Sequence, residues 1–245
     1  MISLVTGKIG SGKTLLAVRR IVEHVAAGGT VYSNVTINLE ALAKLVRRRY
    51  RRIVEPDQVR YIDLVECAAW QTQIEWGDHD LPVLVVLDEI HLFFNARDWR
   101  KTQDLHEAML AFLSQSRKAC VDVVFICQAA STLEKQFRVQ CECEFYCRSL
   151  RDMHMPIVGK LPIQRMLLVQ RDAESQTVIR RQFLPYDKEL FPVYDTRAFL
   201  DESMRSAAAK VPRIARRKLK RPSVVTWPRV AALGAVATFA LYWYQ

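Results

Sequence analysis

Gly7-Lys8-Ile9-Gly10-Ser11-Gly12-Lys13-Thr14 follows a short apolar run, Ile2-Ser3-Leu4-Val5-Thr6, and opens a segment in which Leu15, Leu16, Val18, Ile21, Val22 and Val25 recur at helical spacing. The octapeptide fits G-x-x-x-x-G-K-[ST], and a strand before it with a helix after it is the setting in which that pattern cradles phosphate. Gly7, Gly10 and Gly12 let backbone N–H groups turn inward at a helix N-terminus, where Lys8 and Ser11 complete the loop and the dipole favours anions. Lys13 is expected to set its ammonium on the β- and γ-phosphates of ATP, and Thr14 to offer its hydroxyl to Mg²⁺.

A second stretch, Leu81 to Leu87, is almost wholly aliphatic and ends on Asp88-Glu89. Such a run reads as a central strand buried on both faces, delivering its acids to the carboxyl edge of a parallel sheet, where ligands bind. Asp88 is expected to hold Mg²⁺ through water. Glu89 is expected to take a proton from, or to orient, the water attacking the γ-phosphate. The acid pair and the absence of an N-K-x-D motif favour ATP hydrolysis over a kinase or GTPase. Two further residues join the candidate site. Gln128 ends the apolar strand Val121 to Cys127 and is placed to sense the γ-phosphate. Arg117 ends the preceding helix and can serve either as a finger reaching a neighbouring subunit's nucleotide or as a cation favoured by the helix dipole. His91 reads as structural.

The remaining pattern is that of an α/β fold with a central, mostly parallel sheet flanked by helices. Strands are expected at Thr30 to Asn34 and Val59 to Ile62, and helices at Leu39 to Arg47, Leu64 to Glu75 and Lys101 to Lys118. After Gln140 the chain turns to alternating pieces at Cys141 to Ser149, Gln164 to Arg171 and Thr177 to Leu184, with a hairpin signal at Asp172 to Gln176.

With half its 245 residues hydrophobic and a quarter charged, the chain is neither disordered throughout, nor collagen-like, nor a polytopic membrane bundle. Its net charge of +10 comes from two local runs, Lys44 to Arg52 and Arg205 to Arg221, and the rest is net acidic. The N-terminus lacks the features of a signal peptide, so free thiols in a reducing cytoplasm are expected. Cys141, Cys143 and Cys147, with His154 beyond, invite a zinc reading, but they alternate along a strand without paired C-x-x-C knuckles and read better as buried strand cysteines.

Val230 to Tyr244 carries no charge, and Ser223 to Gln245 is long enough to cross a bilayer if Arg229 snorkels to the headgroups. Trp227 at one end and Tyr242, Trp243 and Tyr244 at the other match interfacial aromatic belts. The basic run upstream then marks the cytoplasmic side. This predicts a single-pass membrane protein with its N-terminal domain on the cytoplasmic side and its C-terminus on the other. The alternative is a C-terminal helix packed on protein.

The loop at Gly7 to Thr14, Asp88-Glu89-Ile90-His91, Val121 to Gln128 and Leu190-Phe191-Pro192-Val193-Tyr194-Asp195-Thr196 together resemble the zonular occludens toxin (Zot) domain. That family includes the gene I assembly proteins of filamentous phages. The resemblance spans roughly residues 1 to 200, with 201–222 as a basic juxtamembrane linker and 223–245 as the span. It implies a ring-forming inner-membrane ATPase, related to FtsK/HerA translocases, that extrudes the virion and exchanges the coat on single-stranded DNA. The implied partners are further copies of the chain, phage single-stranded DNA and coat proteins, other assembly and export proteins, and anionic inner-membrane lipids. Such proteins usually continue into a periplasmic domain; the present sequence ends at Gln245.

The basic runs fit these partners. Lys210 to Arg221 suits anionic lipid beside the span. Arg47-Arg48-Arg49-Tyr50-Arg51-Arg52 suits either a nucleic-acid strand or plain solvation. Two alternative functions stay open: an FtsK/HerA-like DNA translocase or packaging ATPase without an assembly role, and a MinD-like membrane-associated ATP switch. Lys8 matches the extra lysine of MinD-like loops, whereas the Asp88-Glu89 pair argues against such a switch.

Overall fold

The structure, a computed structural model, describes residues 1–64, 70–94, 103–151, 154–155, 159–160 and 164–194. Its body comprises Met1–Ser149 and Gln164–Thr196. Leu150–Ile163 falls in a separate unit. There β7 (His154–Met155) pairs antiparallel with β8 (Gly159–Lys160).

Eight strands form the body's sheet: β1 (Ile2–Thr6), β2 (Val31–Ser33), β3 (Val59–Tyr61), β4 (Val83–Leu87), β5 (Val121–Ile126), β6 (Cys143–Ser149), β9 (Arg165–Asp172) and β10 (Val178–Pro185). They lie in the order β10-β9-β6-β1-β5-β4-β2-β3. Neighbours from β6 to β3 run parallel, while β9 and β10 add an antiparallel hairpin at one edge. The expected fold class is therefore observed for the described residues.

Helices cover both faces because strand residues alternate sides. Val5, Leu84, Val86, Val124 and Ile126 pack with α1 (Lys13–Ala27) and α2 (Leu39–Tyr50). Ile2, Leu4, Val83, Val85, Leu87, Val123 and Phe125 face the other way, towards α3 (Gln103–Ser116), α4 (Lys135–Gln140) and the single turn Trp70–Gln73. Every residue of β4 is buried, as a doubly covered strand requires.

Several expected boundaries shift. Helix α2 runs on to Tyr50, since arginine is a good helix former, and ends on Arg51 in the left-handed region. Strand β4 begins after Pro82, which has no N–H to give a ladder. Of the helix expected at Leu64 to Glu75, the described part is only the turn at Trp70–Gln73; 65–69 lie outside the described residues.

Cys141, Cys143 and Cys147 are buried free thiols. Cys143 and Cys147 face α1, whereas Cys141, at the end of α4, packs in the opposite core. Burial pushes the Cys141 and Cys147 thiols up to about 12, which leaves them protonated and inert. No helix among the described residues is long and apolar enough to cross a membrane. The expected span at 223–245 and the basic linker at 201–222 lie outside the described residues.

Candidate nucleotide site

Strand β1 is central, so its carboxyl end opens onto the middle of the sheet edge, and the Gly7–Thr14 loop joins it there to α1. Gly7 has φ 145°, and a Cβ on it would come within 2.3 Å of the Cys147 carbonyl oxygen and 2.7 Å of Ser11 Oγ. No side chain fits. Gly12 has φ 98° and packs against the Met166 sulfur and the Tyr186 ring, so the hairpin edge braces the loop from outside.

Buried Lys13 donates from Nζ to the carbonyls of Gly7 at 3.0 Å and Lys8 at 3.3 Å, which holds its ammonium under the loop. Lys8 contributes that carbonyl while its own side chain is exposed. Ser11 is buried, and its Oγ has no partner among the described residues. Gly10 lies exposed at the loop's tip, with open space where a Cβ would stand.

Strand β4 is separated from β1 by β5 alone, and its acids reach the same corner. Thr14 Oγ1 donates to Asp88 Oδ2 at 2.8 Å, joining the two motifs across 74 residues. The backbone N–H of Glu89 donates to Asp88 Oδ1 at 2.8 Å. Asn34, buried beyond the end of β2, brackets the Asp88 backbone: its Oδ1 accepts from Asp88 N at 2.7 Å and its Nδ2 donates to Asp88 O at 2.8 Å. Burial raises the Asp88 carboxyl above the usual aspartate range, opposed by the Thr14 hydroxyl, the Glu89 amide and the Lys13 charge. A carboxylate held that way gains from a nearby cation. Thr14 Oγ1 and Asp88 are hard oxygen donors already in contact, so the pair fits Mg²⁺, which takes one or two protein oxygens alongside phosphate.

Glu89 sits at φ 50°, a left-handed conformation uncommon for a residue with a side chain. The turn Ile90–Leu92 follows directly, closed by Leu92 N donating to Glu89 O at 2.9 Å. It brings His91 Nδ1 to 3.3 Å from Glu89 Oε2, without the alignment of a hydrogen bond.

Gln128 lies just past β5, between the two motif strands, and its carbonyl accepts from Gly7 N at 3.3 Å; its side chain is exposed. Arg117 is not brought to this corner. It is exposed just before β5, at the opposite edge of the sheet, about 20 Å away along six strand residues.

The basic run resolves into two kinds of cation. Arg49 makes a two-pronged pair with Asp187, Nη1 to Oδ2 at 2.6 Å and Nη2 to Oδ1 at 2.9 Å, and also reaches Glu189, which Arg48 shares. The Arg49 hydrogen bonds hold the Asp187 carboxyl below the usual carboxylate range. Arg47, Arg51 and Arg52 are exposed and face no such acid among the described residues. Sequence reading missed Asn34, Tyr186 and the Asp187–Glu189 clamp. Only the Asn that follows a short strand gave any signal.

A family model described as zonular occludens toxin (Zot) matches residues 1–199. The Gene 1 protein of Enterobacteria phage I2-2 is 29% identical over 210 residues, covering 79% of this chain and 56% of that protein. The Gene 1 protein of Enterobacteria phage M13 is 29% identical over 208 residues, covering 79% and 58%. The chain thus spans somewhat over half the length of these relatives. Among solved structures, a DnaB-like replicative helicase superposes with a TM-score of 0.50 at 12% identity, over 77% of this chain and 56% of that one, a likeness of fold.

Proposed function

The chain belongs to the zonular occludens toxin (Zot) family, and from that premise we propose that it is a membrane-anchored ATPase motor powering assembly and extrusion of a filamentous phage. The observation that carries the enzymatic part is the bond between Thr14 and Asp88, which joins the phosphate loop to the acid strand in one corner. A Gly-rich loop by itself binds phosphate; an acid pair beside it, Asp88 buried and Glu89 half-buried, would supply hydrolysis.

In this reading the loop amides and Lys13 bind the triphosphate. Lys13 leaves the loop carbonyls to meet charge that grows on the transferring phosphoryl group. Thr14 and Asp88 would hold Mg²⁺, whose charge would offset that of the phosphates. Glu89 accepts the proton of the attacking water, and Gln128, between the two motif strands, reads the presence of the γ-phosphate.

The assembly role is supported by the phage relatives and by the sequence of the tail. Residues 223–245 are proposed to cross the inner membrane, with Arg205 to Arg221 on its cytoplasmic face. Copies of the chain are proposed to form a ring. Arg117, at the far edge of the sheet from this corner, is proposed either to reach a neighbouring subunit's nucleotide as a finger or to serve as a cation beside the end of α3. Single-stranded DNA and coat proteins would be the cargo.

The test is phage production from cells in which the only copy carries Lys13→Ala, with ATP turnover measured on the purified full chain. Loss of turnover together with loss of released particles supports the motor. Particles at the normal titre from a copy without turnover would overturn it.

A further inference from the structure

We propose that His91 is the positioning residue for Glu89. It donates its Nδ1–H to one carboxylate oxygen, Oε2, and leaves the other, Oε1, to take the proton of the attacking water. This rests on the reading of Glu89 as the hydrolytic base.

Three observations carry it. Glu89 Oε2 and His91 Nδ1 stand 3.3 Å apart, and both atoms are shielded from solvent. Neither has a hydrogen-bond partner among the described residues. A carboxylate oxygen and an imidazole nitrogen shut away together are each other's available partner, and a small rotation of either ring or carboxylate aligns them. The third observation is the backbone. Glu89 adopts the left-handed conformation, and the tight turn Ile90–Leu92 that follows folds His91 back onto the preceding side chain. A regular helix running through Glu89 would leave residues two apart on different faces. An uncommon conformation held beside a reacting group is the kind of strain found at functional sites.

The chemistry gives the arrangement a use. A free glutamate swings about three side-chain torsions, so its lone pairs seldom face one water. A donor on Oε2 removes that freedom and fixes which oxygen acts as base. The neighbours fit this division of labour. Asp88 is held by Thr14, the Glu89 amide and Asn34, and so is not available to orient Glu89. Neither Lys13 nor Thr14 donates to Glu89.

The experiment measures steady-state ATP hydrolysis by the full chain carrying His91→Leu, His91→Asn and Glu89→Gln. Leucine fills the space without a donor, whereas asparagine places an amide N–H near the position of Nδ1. His91→Leu should lower kcat about tenfold with KM for ATP unchanged, and His91→Asn should restore most of the rate. Adding His91→Leu to Glu89→Gln should cost nothing further, because the residue acts only through Glu89. Should the leucine variant not fold, His91→Ala carries the same test. A wild-type kcat in His91→Leu overturns the proposal, as does a loss confined to KM, or an asparagine variant as slow as the leucine one. The control separates the two claims. A Glu89→Gln chain that hydrolyses ATP normally removes Glu89 as base, whereas an inactive Glu89→Gln chain beside a fully active His91→Leu chain removes only the role of His91.

Discussion

Thr14, Asn34, Asp88 and the Glu89 amide come from three separated stretches of chain and meet in one corner through bonds of 2.7–2.8 Å, while Lys13 is held by the loop carbonyls of Gly7 and Lys8. Lys44 to Arg52 is contiguous in sequence, lies along and beyond one helix end, and is mostly exposed. Both regions are charged, yet they are built on different physics. In the corner, low dielectric makes each bond strong and each orphaned partner costly. On the helix, water and salt screen the charges, and two of the arginines are spent on acids of the same chain. A charge run in sequence therefore says less about partners than a few polar residues scattered among aliphatic ones.

The corner should break first and furthest. Lys13→Ala removes a charge that meets the growing negative charge of the transition state, and ATP turnover should fall by about 10³ or more. Glu89→Gln should fall by about 10²–10⁴ while nucleotide stays bound, since only the reacting water loses its partner. Phosphate release and equilibrium nucleotide binding separate the two. Equal loss of binding in both variants would mean that the corner acts as one structural unit, without separate roles for Lys13 and Glu89.

Asn34→Ala tests whether the corner also holds the fold together. It strips the partner from both the N–H and the C=O of Asp88, deep in the sheet, and should cost about 1–3 kcal/mol of unfolding free energy. Turnover should drop with it, because Asp88 loses its fixed place. Denaturant unfolding at an unchanged midpoint would show that water replaces the bracket and that the corner is less closed than its geometry implies.

These residues also mark what could be read in the sequence. The Gly7–Thr14 loop was legible because only glycine tolerates the backbone at Gly7, and the acid strand because a doubly buried strand must be aliphatic throughout. The bracket by Asn34 was not legible. It depends on β2 lying beside β4, a strand order that no local pattern states. The clamp of Arg49 by Asp187 joins residues 138 apart, so the arginine run looked uniform. The left-handed turn at Glu89 leaves no trace in composition, and His91 accordingly read as structural. What was legible are constraints on single positions; what was not are pairings set by topology.

On the helix the effects should be smaller and should depend on conditions. Asp187 is held below its usual range by Arg49, so its stabilisation is present above the unfolded carboxyl range near 3.9 and is lost as pH falls through the lower folded value. Asp187→Asn should therefore cost about 1 kcal/mol at pH 7, discounted for partial exposure, and nothing once the wild-type carboxyl is protonated. Thermal unfolding of both chains from pH 7 down to pH 3 should show the gap closing. A constant gap would mean that Asp187→Asn costs stability through the lost fork geometry with Arg49 and not through charge, since asparagine still caps the turn where Asp187 Oδ1 accepts from Glu189 N.

The smallest effect on the body itself is expected from removing Arg47, Arg51 and Arg52 together. These side chains are exposed and face no acid among the described residues, so the triple alanine variant should unfold within about 0.5 kcal/mol of the parent. If they meet the phosphates of a single strand, as the proposed cargo requires, oligonucleotide affinity should fall. The slope of log affinity against log salt should flatten by about 2, from three lost contacts at about 0.7 each. Arg49→Ala should behave in the opposite way, costing stability through Asp187 and Glu189 while leaving the salt slope nearly unchanged, because its guanidinium is already occupied. A triple variant that binds DNA with the parental slope would make the run a solvated helix end. A steeper loss from Arg49→Ala would show that the strand displaces Asp187, and that the two classes of cation exchange roles when the cargo arrives.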